Sequence, residues 1–305
     1  MEQQERAAGQ PKISVIIASA SGPSYLGPCL ESLEKQTLRD QAEVIVADRC
    51  GDRVAELVGL KYPRVRLMSF DRHRSIPELR ALAIKKAQGE IIAVTEDHCV
   101  AEPHWCERIL AAHQSHHAAI GGAVENACVD TVVDWAEFLC EYYAYMSPVP
   151  EGEVRDIPGN NVSYRREFLQ CCADLLEGSL WEGFLHGRLR QNGVKFYSDP
   201  SIIVFHRMSL GVIGFLSQRY HYSRSYAGMR TRSAPLLTRV VYAGFCPFLP
   251  ALVLGRIGTR VWRKGRCRAK LLQALPLLIL FSLAWAWGEF CGYLLGLGES
   301  LRKVG

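Results

Sequence analysis

The feature that most constrains the fold is an alternation of apolar runs and helical patterns in the first third of the chain. Short runs rich in β-branched residues predict strands at residues 13–18, 43–47, 65–70 and 91–95. Apolar residues at helical spacing predict helices between them, at residues 25–36, 54–60 and 77–88. This order predicts an α/β fold with a doubly wound, mostly parallel sheet, whose ligands bind at the carboxyl ends of the strands.

Two long apolar segments follow near the other end of the chain, at residues 236–255 and 271–297. The second has 27 residues and is long enough to cross a bilayer with some tilt. Pro247 and Pro250 interrupt the first segment, which predicts either a kinked helix or a re-entrant hairpin. Each segment contains a single charged residue, Arg239 in the first and Glu289 in the second.

Charge divides the chain into two parts. Residues 1–199 carry a net charge of −8, whereas residues 200–305 carry +13, with no carboxylate between Asp199 and Glu289. An Arg-rich stretch without acids, interleaved with apolar runs, indicates contact with a bilayer containing anionic lipids. The neighbouring apolar runs argue against nucleic acid as the partner.

The basic residues also bear on membrane topology. Seven of them and no acid lie in residues 256–270, so the positive-inside rule places that stretch on the cytosolic face. The eleven cysteines form no CxxC pair and the polar N-terminus shows no secretory signal, which also indicates a reducing, cytosolic setting. We therefore expect a membrane protein whose first apolar segment dips into the bilayer and returns, leaving its N-terminal α/β domain on the cytosolic face.

Polar side chains follow two of the predicted strands. Asp48 ends the second strand, and Glu96, Asp97 and His98 follow the fourth. Three successive ionisable groups at the end of a buried strand are costly unless they bind something, and this set suits Mn²⁺ or Mg²⁺. Because alternate residues of an extended segment face the same way, Glu96 and His98 can converge on one ligand while Asp97 points elsewhere. A solvated loop, and a turn capped by Asp48, are the alternatives.

Several motifs in order resemble those of the family 2 glycosyltransferases with the GT-A fold, over residues 12–230. The matching segments are ISVIIAS, EVIVADRCGD, ELRALAIKKAQGEIIAVTEDHCVAEPHW, IGGAVEN, PGNNVSYRREFL, WEGFLHGRLRQNGVKFYSDPSIIVFH and QRYHYSR. The resemblance implies an inverting enzyme that moves a sugar from a nucleotide sugar, a UDP- or GDP-sugar, to an acceptor hydroxyl. An active site beside a bilayer makes a lipid or lipid-linked acceptor the expected partner.

The resemblance also implies roles for residues of the donor site. Asp48 contacts the nucleobase and Arg80 lies near the diphosphate. Residues 95–98, TEDH, take the place of the family's Asp-x-Asp motif, so that Glu96 faces the ribose and His98 the metal ion. This departure leaves open whether Asp97 replaces either residue and whether Glu96 also binds the metal. His206 resembles a family histidine near the diphosphate and can complete the metal shell; alone, it reads as a packed or surface histidine.

The acceptor side is implied in the same way. Glu182 matches the family's catalytic base, although a carboxylate opening a helix is also favoured by the helix dipole. Asn160 and Asn161 match an acceptor-side loop, but Gly-Asn-Asn is also a good turn. In QRYHYSR, the family places a mobile element that contacts phosphate; a basic interfacial helix is an equal and compatible interpretation. The acceptor-side candidates in that segment are Gln218, Arg219 and Tyr222.

These assignments divide the chain into seven parts: a polar N-terminal tail (1–11), the GT-A catalytic domain (12–205), a basic interfacial, acceptor-side segment (206–235), a Pro-broken membrane segment (236–255), a basic loop (256–270), a transmembrane helix (271–297) and a tail (298–305). Two other functions compete. A nucleotide-dependent oxidoreductase is disfavoured because SASGPS stands where a glycine-rich phosphate turn is needed. A catalytically impaired membrane scaffold that only binds nucleotide sugar is the other alternative, because the Asp-x-Asp motif is altered.

Overall fold

The computed structural model describes residues 10–170, 172, 174 and 180–304. Most of the expected N-terminal tail, residues 1–9, and the last residue, 305, therefore lie outside the described part. The chain forms two compact units. We call Met1–Val124 with Val149–Phe205 the sheet unit, and Glu125–Pro148 with His206–Gly305 the helical unit.

A nine-stranded sheet and its flanking helices contain most of the described residues before residue 206. The strands are β1 (Ile13–Ser19), β2 (Ala42–Asp48), β3 (Arg66–Ser69), β4 (Ile91–Glu96), β5 (Cys99–Ala101), β6 (Ala119–Asn126), β7 (Gly152–Val154), β8 (Val162–Arg165) and β9 (Phe196–His206). The helices are α1 (Pro23–Glu34), α2 (Asp52–Lys61), α3 (Ile76–Ile84), α4 (Trp105–Ala112), α5 (Val132–Tyr142), α6 (Arg166–Gln170) and α7 (Glu182–Gln191). The four strands and three helices predicted before residue 96 all form, with shifted ends.

The sheet is mixed, with a parallel half and an antiparallel half. Its order is β3-β2-β1-β4-β8-β6-β9-β5, and β7 pairs with β9. Strands β3, β2, β1 and β4 run parallel, as the βα alternation predicts, whereas β8 runs antiparallel to both β4 and β6. This arrangement confirms the predicted α/β class. Its four parallel strands alternate along the chain with helices α1, α2 and α3.

Strand β1 lies at the centre of the parallel half, and all seven of its residues are buried. Fully buried strands read as continuous apolar runs, which is why the segment was recognisable from sequence. Its register sets Ser19 opposite Asp48 of β2 and Ala18 opposite Glu96 of β4. The two polar strand ends predicted from the sequence therefore reach the same edge of the sheet, on either side of β1.

The helical unit contains α5 and the remaining helices: α8 (Gly211–Arg230), α9 (Leu236–Phe245), α10 (Leu249–Lys264) and α11 (Arg268–Leu295). Among the described residues, two helical stretches are long and apolar enough to cross a membrane by length and composition, Leu236–Lys264 and Arg268–Leu295. The segment expected to be interfacial, 206–235, forms α8. The expected tail 298–305 includes a 3₁₀ turn at Ser300–Lys303.

The prolines break the first apolar segment without reversing it. Pro247 and Pro250 lie in the first turns of a 3₁₀ turn (Cys246–Phe248) and of α10, where a missing N–H costs little. The expectation that residues 236–255 dip and return is therefore wrong. Residues 256–264, expected as a loop, are helical because Arg and Lys favour helix, and the reversal comes at Gly265 and Cys267, which have φ angles of 70° and 57°.

Two glycines let α11 approach α8 closely. A Cβ atom on Gly288 would lie 2.4 Å from the carbonyl oxygen of Tyr220, and one on Gly292 would lie 2.4 Å from that of Arg224. Gly288 and Gly292 are four residues apart and so share one face of α11, which is the small-xxx-small arrangement of closely packed helices. In the sequence these two residues form a Gly-x-x-x-Gly pattern.

We expect Gly292→Ala to destabilise the helical unit by about 1–3 kcal/mol, because the added methyl group has no space against the α8 backbone. Gly255→Ala is the matched control: Gly255 is also helical, and a Cβ there meets nothing within 4 Å. The control is expected to be neutral or stabilising by up to about 1 kcal/mol, since Ala favours helix over Gly. Urea unfolding of the full chain in mild detergent measures both, and equal effects would contradict the close packing.

Candidate active site

The candidate residues fall into both units. Those in the sheet unit are Asp48, Arg80, Glu96, Asp97, His98, Asn160, Asn161 and Glu182, and those in the helical unit are His206, Gln218, Arg219 and Tyr222. Side-chain contacts join five of the first group directly, namely Arg80, Glu96, Asp97, His98 and Glu182, and Asp48 is on the same sheet edge. The site described below lies entirely within the sheet unit.

Arg80 joins two carboxylates that are distant in sequence. Its Nη2 lies 2.8 Å from Oε1 of Glu96, and its Nη1 lies 3.0 Å from Oε2 of Glu182. The guanidinium is almost fully buried, whereas both carboxylates remain partly exposed. A planar guanidinium can hold two carboxylates in fixed directions, so Arg80 sets the separation of Glu96 and Glu182.

The position of Arg80 follows from how α3 begins. Ser75 and Glu78 form a capping box, in which the Glu78 side chain accepts from the Ser75 backbone N–H at 2.7 Å. Such a box satisfies the free backbone donors of the first turn and fixes where the helix starts. Arg80 follows within the next turn, so the cap determines the direction in which the guanidinium leaves the helix.

Glu182 is the first residue of α7 and lies against Gly159. A Cβ atom on Gly159 would come within 2.5 Å of the Glu182 side chain, so any larger residue there would displace the carboxylate. Tyr164 and Glu182 both line a cavity beside Gly159 and Arg80. The Tyr164 hydroxyl shares a 2.7 Å hydrogen bond with His186, one turn after Glu182 on α7. Gly159 therefore leaves room for Glu182, and Tyr164 fixes the helix that carries it.

Glu96 is the last residue of β4, and Asp97 and His98 form the turn that follows it. The His98 ring lies between two carboxylates, with Nε2 3.2 Å from Glu96 and Nδ1 2.9 Å from Asp97. Burial alone would lower the pKa of His98, but the hydrogen bonds and charges of Asp97 and Glu96 raise that pKa to about 10. The imidazole is thus held in one orientation by carboxylates on both sides.

Asp97 is directed back to the loop after β1. Its Oδ2 accepts from the backbone N–H groups of Ala20 and Ser21 at 2.8 and 2.7 Å, and Oδ1 accepts from the Ser21 hydroxyl at 3.0 Å. The carboxylate is 2% exposed, so its acceptors are used inside the fold. Asp97 therefore joins the ends of β1 and β4, and Glu96 and His98 face a common point.

The residues at the end of β4 and in the turn after it fit a hard divalent cation. Ligand atoms of Glu96, His98 and Cys99 lie within 4.8 Å of one another. Because Nδ1 of His98 contacts the Asp97 carboxylate, Nε2 is the ring nitrogen that can bind a metal ion. A histidine held by a carboxylate on its other nitrogen is the usual arrangement in metal sites. Cys99 fits less well, because burial raises the pKa of its thiol well above the ordinary value and keeps the proton on sulfur.

Asp48 keeps one carboxylate oxygen for a ligand. Oδ2 accepts from the backbone N–H groups of Cys50 and Gly51 at 3.0 and 2.9 Å, which caps the turn after β2. Oδ1 is buried and has no hydrogen-bond partner among the described residues. Leaving a buried carboxylate oxygen unpaired is costly, so the geometry suits a donor from a bound molecule.

The two asparagines before β8 differ in their contacts. Asn161 accepts from Trp105 Nε1 at 2.8 Å and donates to the carbonyl oxygens of Ala123 and Ile202, so its side chain supports the fold. Asn160 donates to Cys99 Sγ, while its buried Oδ1 has no hydrogen-bond partner in the described part of the chain. Contact of either residue with an acceptor stays a prediction, and Asn160 has the free acceptor atom.

Arg219 of the helical unit is buried within that unit. Its guanidinium pairs with Glu141 and lies over the rings of Phe215, Tyr222 and Trp285, at 4.9 to 5.6 Å. The side chain of Arg219 therefore packs helices together, and a role on the acceptor side remains a prediction for Gln218, Arg219 and Tyr222.

His206 also belongs to the helical unit. The His206 ring packs against Tyr142 with centroids 4.7 Å apart, and its metal role likewise remains a prediction.

Comparison with known proteins finds a matching family and several relatives. The family described as "Glycosyl transferase family 2" matches residues 14–172. A Haloferax volcanii protein named glucosyl-dolichyl phosphate glucuronosyltransferase is 28% identical over 174 residues, which is 51% of this chain and 53% of that protein. The chain spans about half the length of this relative and of a second curated relative, a Bacillus subtilis protein named "Putative glycosyltransferase EpsH".

Solved structures show the same fold at low identity. The crystal structure of Staphylococcus aureus TarS, residues 1–349, has a TM-score of 0.51 and 15% identity, and the match covers 92% of this chain and 90% of that one. The same fragment in complex with UDP has a TM-score of 0.50 and 16% identity, with the same coverage. These neighbours support the GT-A fold, including its mixed sheet.

We expect Asp97→Asn to lower stability by about 1–3 kcal/mol, because it replaces a buried acceptor that joins two strand ends. Asp199→Asn is the matched control, since Asp199 also accepts from a backbone N–H and a serine hydroxyl, both of Ser201, but on the surface. The control should change the free energy of unfolding by less than about 0.5 kcal/mol. Chemical denaturation measures both, and similar losses would contradict the joining role of Asp97.

Proposed function

The chain belongs to glycosyl transferase family 2, and from this we propose that it is an inverting, metal-dependent enzyme that transfers a sugar to a lipid or lipid-linked hydroxyl. The observation that carries the proposal is the Arg80 bridge. It holds Glu96, beside the potential metal ligand His98, and Glu182 at one edge of the sheet. Such an edge, at the ends of parallel strands, is where ligands of α/β sheets bind.

Glu182 is the proposed general base. Its carboxylate takes the proton of the acceptor hydroxyl as the oxygen attacks the anomeric carbon of the sugar. The bond between that carbon and the diphosphate oxygen breaks on the opposite face, so the configuration is inverted and the nucleoside diphosphate leaves. Arg80 orients Glu182, and its position supports the expected location near the diphosphate.

Glu96 and His98 are the proposed holders of Mn²⁺ or Mg²⁺, with Glu96 also near the ribose. A divalent ion at this position would neutralise charge on the departing diphosphate. Asp97 orients the His98 ring, and His98 gives up its Nε2 proton when it binds a cation. His206 remains a proposed additional ligand.

Asp48 is the proposed contact to the nucleotide. Its unpaired buried Oδ1 can accept from an N–H of a base or a hydroxyl of ribose. A UDP- or GDP-sugar is the proposed donor, and the UDP complex of a protein with the same fold supports the UDP alternative. Asn160, Asn161, Gln218, Arg219 and Tyr222 remain the proposed acceptor-side residues.

The acceptor and location follow from the apolar helices and from one relative. Two stretches are apolar and long enough for a bilayer, and the Haloferax volcanii relative is named for glucosyl-dolichyl phosphate. We infer a lipid-linked acceptor at the membrane, with the catalytic domain of residues 12–205 on the cytosolic face where nucleotide sugars are found. The bounds of the catalytic domain, residues 12–205, and contact of the apolar segments within residues 236–297 with the membrane are part of this proposal.

We expect Glu182→Gln to lower transfer at least about 100-fold while donor binding changes less than about threefold, because the amide cannot take the proton. The measurement is release of nucleoside diphosphate from UDP- and GDP-sugars with vesicles that contain glucosyl-dolichyl phosphate, whose sugar supplies the acceptor hydroxyl, and donor binding by calorimetry. Glu56→Gln, at an exposed position of α2, is the control and should be unchanged. Near-normal transfer by Glu182→Gln would remove Glu182 as the base.

A second pair of variants moves Glu182 without removing it. Gly159→Ala displaces the carboxylate at small cost, because only a flexible side chain has to shift, and should lower transfer at least about tenfold. Gly187→Ala on the same helix meets nothing within 4 Å and should retain transfer. If the wild-type chain binds donor but turns none over with any acceptor tested, the scaffold alternative is favoured.

We expect Mn²⁺ to bind the wild-type chain and to raise its melting temperature, because binding to the folded state stabilises it. His98→Ala should lower Mn²⁺ affinity at least about tenfold. His104→Ala is the control, because His104 also pairs with a carboxylate, Glu107 at 2.9 Å, but both side chains are 50% exposed. Calorimetric titration with Mn²⁺ measures both variants, and equal affinities would contradict the proposed metal site.

A further inference from the structure

We propose that the helical hairpin of α9, α10 and α11 inserts into one leaflet of an anionic membrane from a single side, so that neither long helix crosses the bilayer. The inference goes beyond the proposed transfer reaction and does not depend on it. It rests on the exposed face of the hairpin, the charges beside that face, the contacts of its turn, and the helices packed behind it. All of these features lie in the helical unit.

The exposed face of the hairpin is apolar. Along α9 and α10 the large exposed side chains recur three or four residues apart, at Leu237, Val241, Phe245, Phe248 and Leu252. The same spacing continues on α11 at Leu272, Leu275, Ile279, Leu283 and Trp287. Other positions of the same helices are buried, among them Ala243, Val253 and Ile257 on α9 and α10 and Ala274 and Leu278 on α11, so each helix also has a covered side. We call the ten exposed residues the apolar stripe; a surface of this kind typically contacts membrane or protein.

Positive charge borders the apolar stripe. After Leu252 the same helical spacing continues with Arg256, Arg260 and Arg263, which are exposed. Arg266 and Arg268 add two more exposed charges at the turn, and the chain has no carboxylate from residue 200 to 288. An apolar stripe ending in arginines matches acyl chains beneath anionic headgroups, and it matches a protein surface less well.

The turn of the hairpin is bound to its own unit. Arg266 makes two contacts with the Glu125 carboxylate, at 2.9 and 3.2 Å, and a third with the Ser147 carbonyl oxygen. Lys264 donates to the carbonyl oxygens of Met146 and Pro148. Glu125 belongs to strand β6. A turn attached to the end of a sheet strand cannot also lie across a bilayer from that strand.

The covered face of α11 packs on helices that carry charge. The buried Arg219–Glu141 pair links α8 to α5, and Arg219 also lies 5.6 Å from the ring of Trp285 on α11. Lys270 of α11 lies 5.6 Å from the ring of Trp135 on α5. If α11 crossed the bilayer, α8 and α5 would enter the hydrocarbon with it, and burying their charges there would be costly.

The two charges inside the apolar segments are compatible with shallow insertion. Arg239 donates to the carbonyl oxygens of Tyr293 and Leu294 at 2.7 and 2.8 Å, which satisfies the end of α11. Glu289 accepts from Trp285 Nε1 and from the Tyr293 hydroxyl, both at 2.9 Å. Both groups are satisfied within the hairpin, so the apolar stripe can enter the acyl region without exposing them.

Vesicle binding of the full chain tests the surface. We expect tight binding to phosphatidylcholine vesicles containing 30% phosphatidylglycerol, about tenfold weaker binding to phosphatidylcholine alone, and loss of at least about tenfold on Leu237→Glu. Leu60→Glu is the matched control, since Leu60 and Leu237 are each 76% exposed but Leu60 lies on α2 of the sheet unit. Equal effects of the two substitutions, or no preference for anionic vesicles, would overturn the proposed surface.

Cysteine labelling tests single-sided insertion. Protein is added to preformed vesicles, labelled with a membrane-impermeant maleimide, and analysed by peptide mass spectrometry, so all native cysteines remain. Cys267 lies at the turn, and Cys50 lies exposed in the sheet unit. We expect Cys267 to be labelled in intact vesicles as fast as after detergent, within about threefold, as Cys50 is. Labelling of Cys267 only after detergent would place the turn across the bilayer and overturn the inference.

Donor binding measured on the same samples separates this inference from the proposed function. If the Leu237→Glu variant no longer binds vesicles but binds UDP- or GDP-sugar normally, the result supports the proposed membrane surface and leaves donor binding independent of it. A chain that binds vesicles as expected but shows no donor binding keeps the membrane inference and removes the enzyme proposal.

Discussion

The guanidinium of Arg80 is the interaction on which the candidate site depends. It lies between Glu96, at the end of β4, and Glu182, at the start of α7, and contacts each at 3.0 Å or less. Two partly buried carboxylates would otherwise repel each other and draw in water. With the cation between them they stay at a fixed separation, which an acceptor hydroxyl and a donor sugar need if they are to meet in line.

Backbone geometry supplies the rest of the support for that site. The register of β1 with β2 and β4 brings Asp48 and Glu96 to one edge, and Asp97 ties that edge to the loop after β1. Gly159 leaves space for the Glu182 side chain. The side chains that face the cleft are thus positioned by neighbours that face the core, as preorganised sites require.

The helical unit differs from the sheet unit in where its charged and its apolar side chains lie. Its buried ion pair between Arg219 and Glu141 lies between helices, while many of its large apolar side chains lie on the exposed side of the hairpin. Gly288 and Gly292 make that arrangement possible by letting α11 lie against the backbone of α8. A segment recognised in the sequence by hydropathy alone therefore has one face committed to protein and one face available to lipid.

The sequence by itself determined the α/β class, the first seven elements and the strand ends that carry Asp48, Glu96 and His98, because hydrophobic periodicity and strand-terminal polarity are local properties. Hydropathy also located both apolar helices. Only the tertiary structure showed that Arg80 bridges Glu96 and Glu182, that Gly159 makes room for Glu182, and that the turn near Gly265 returns to Glu125. Those contacts join residues far apart in the chain, and the packing that selects them has no local signature. The same reason explains why a Pro-broken segment expected to reverse continues as helix: packing against α11 favours the continued helix, and proline in a first turn does not prevent it.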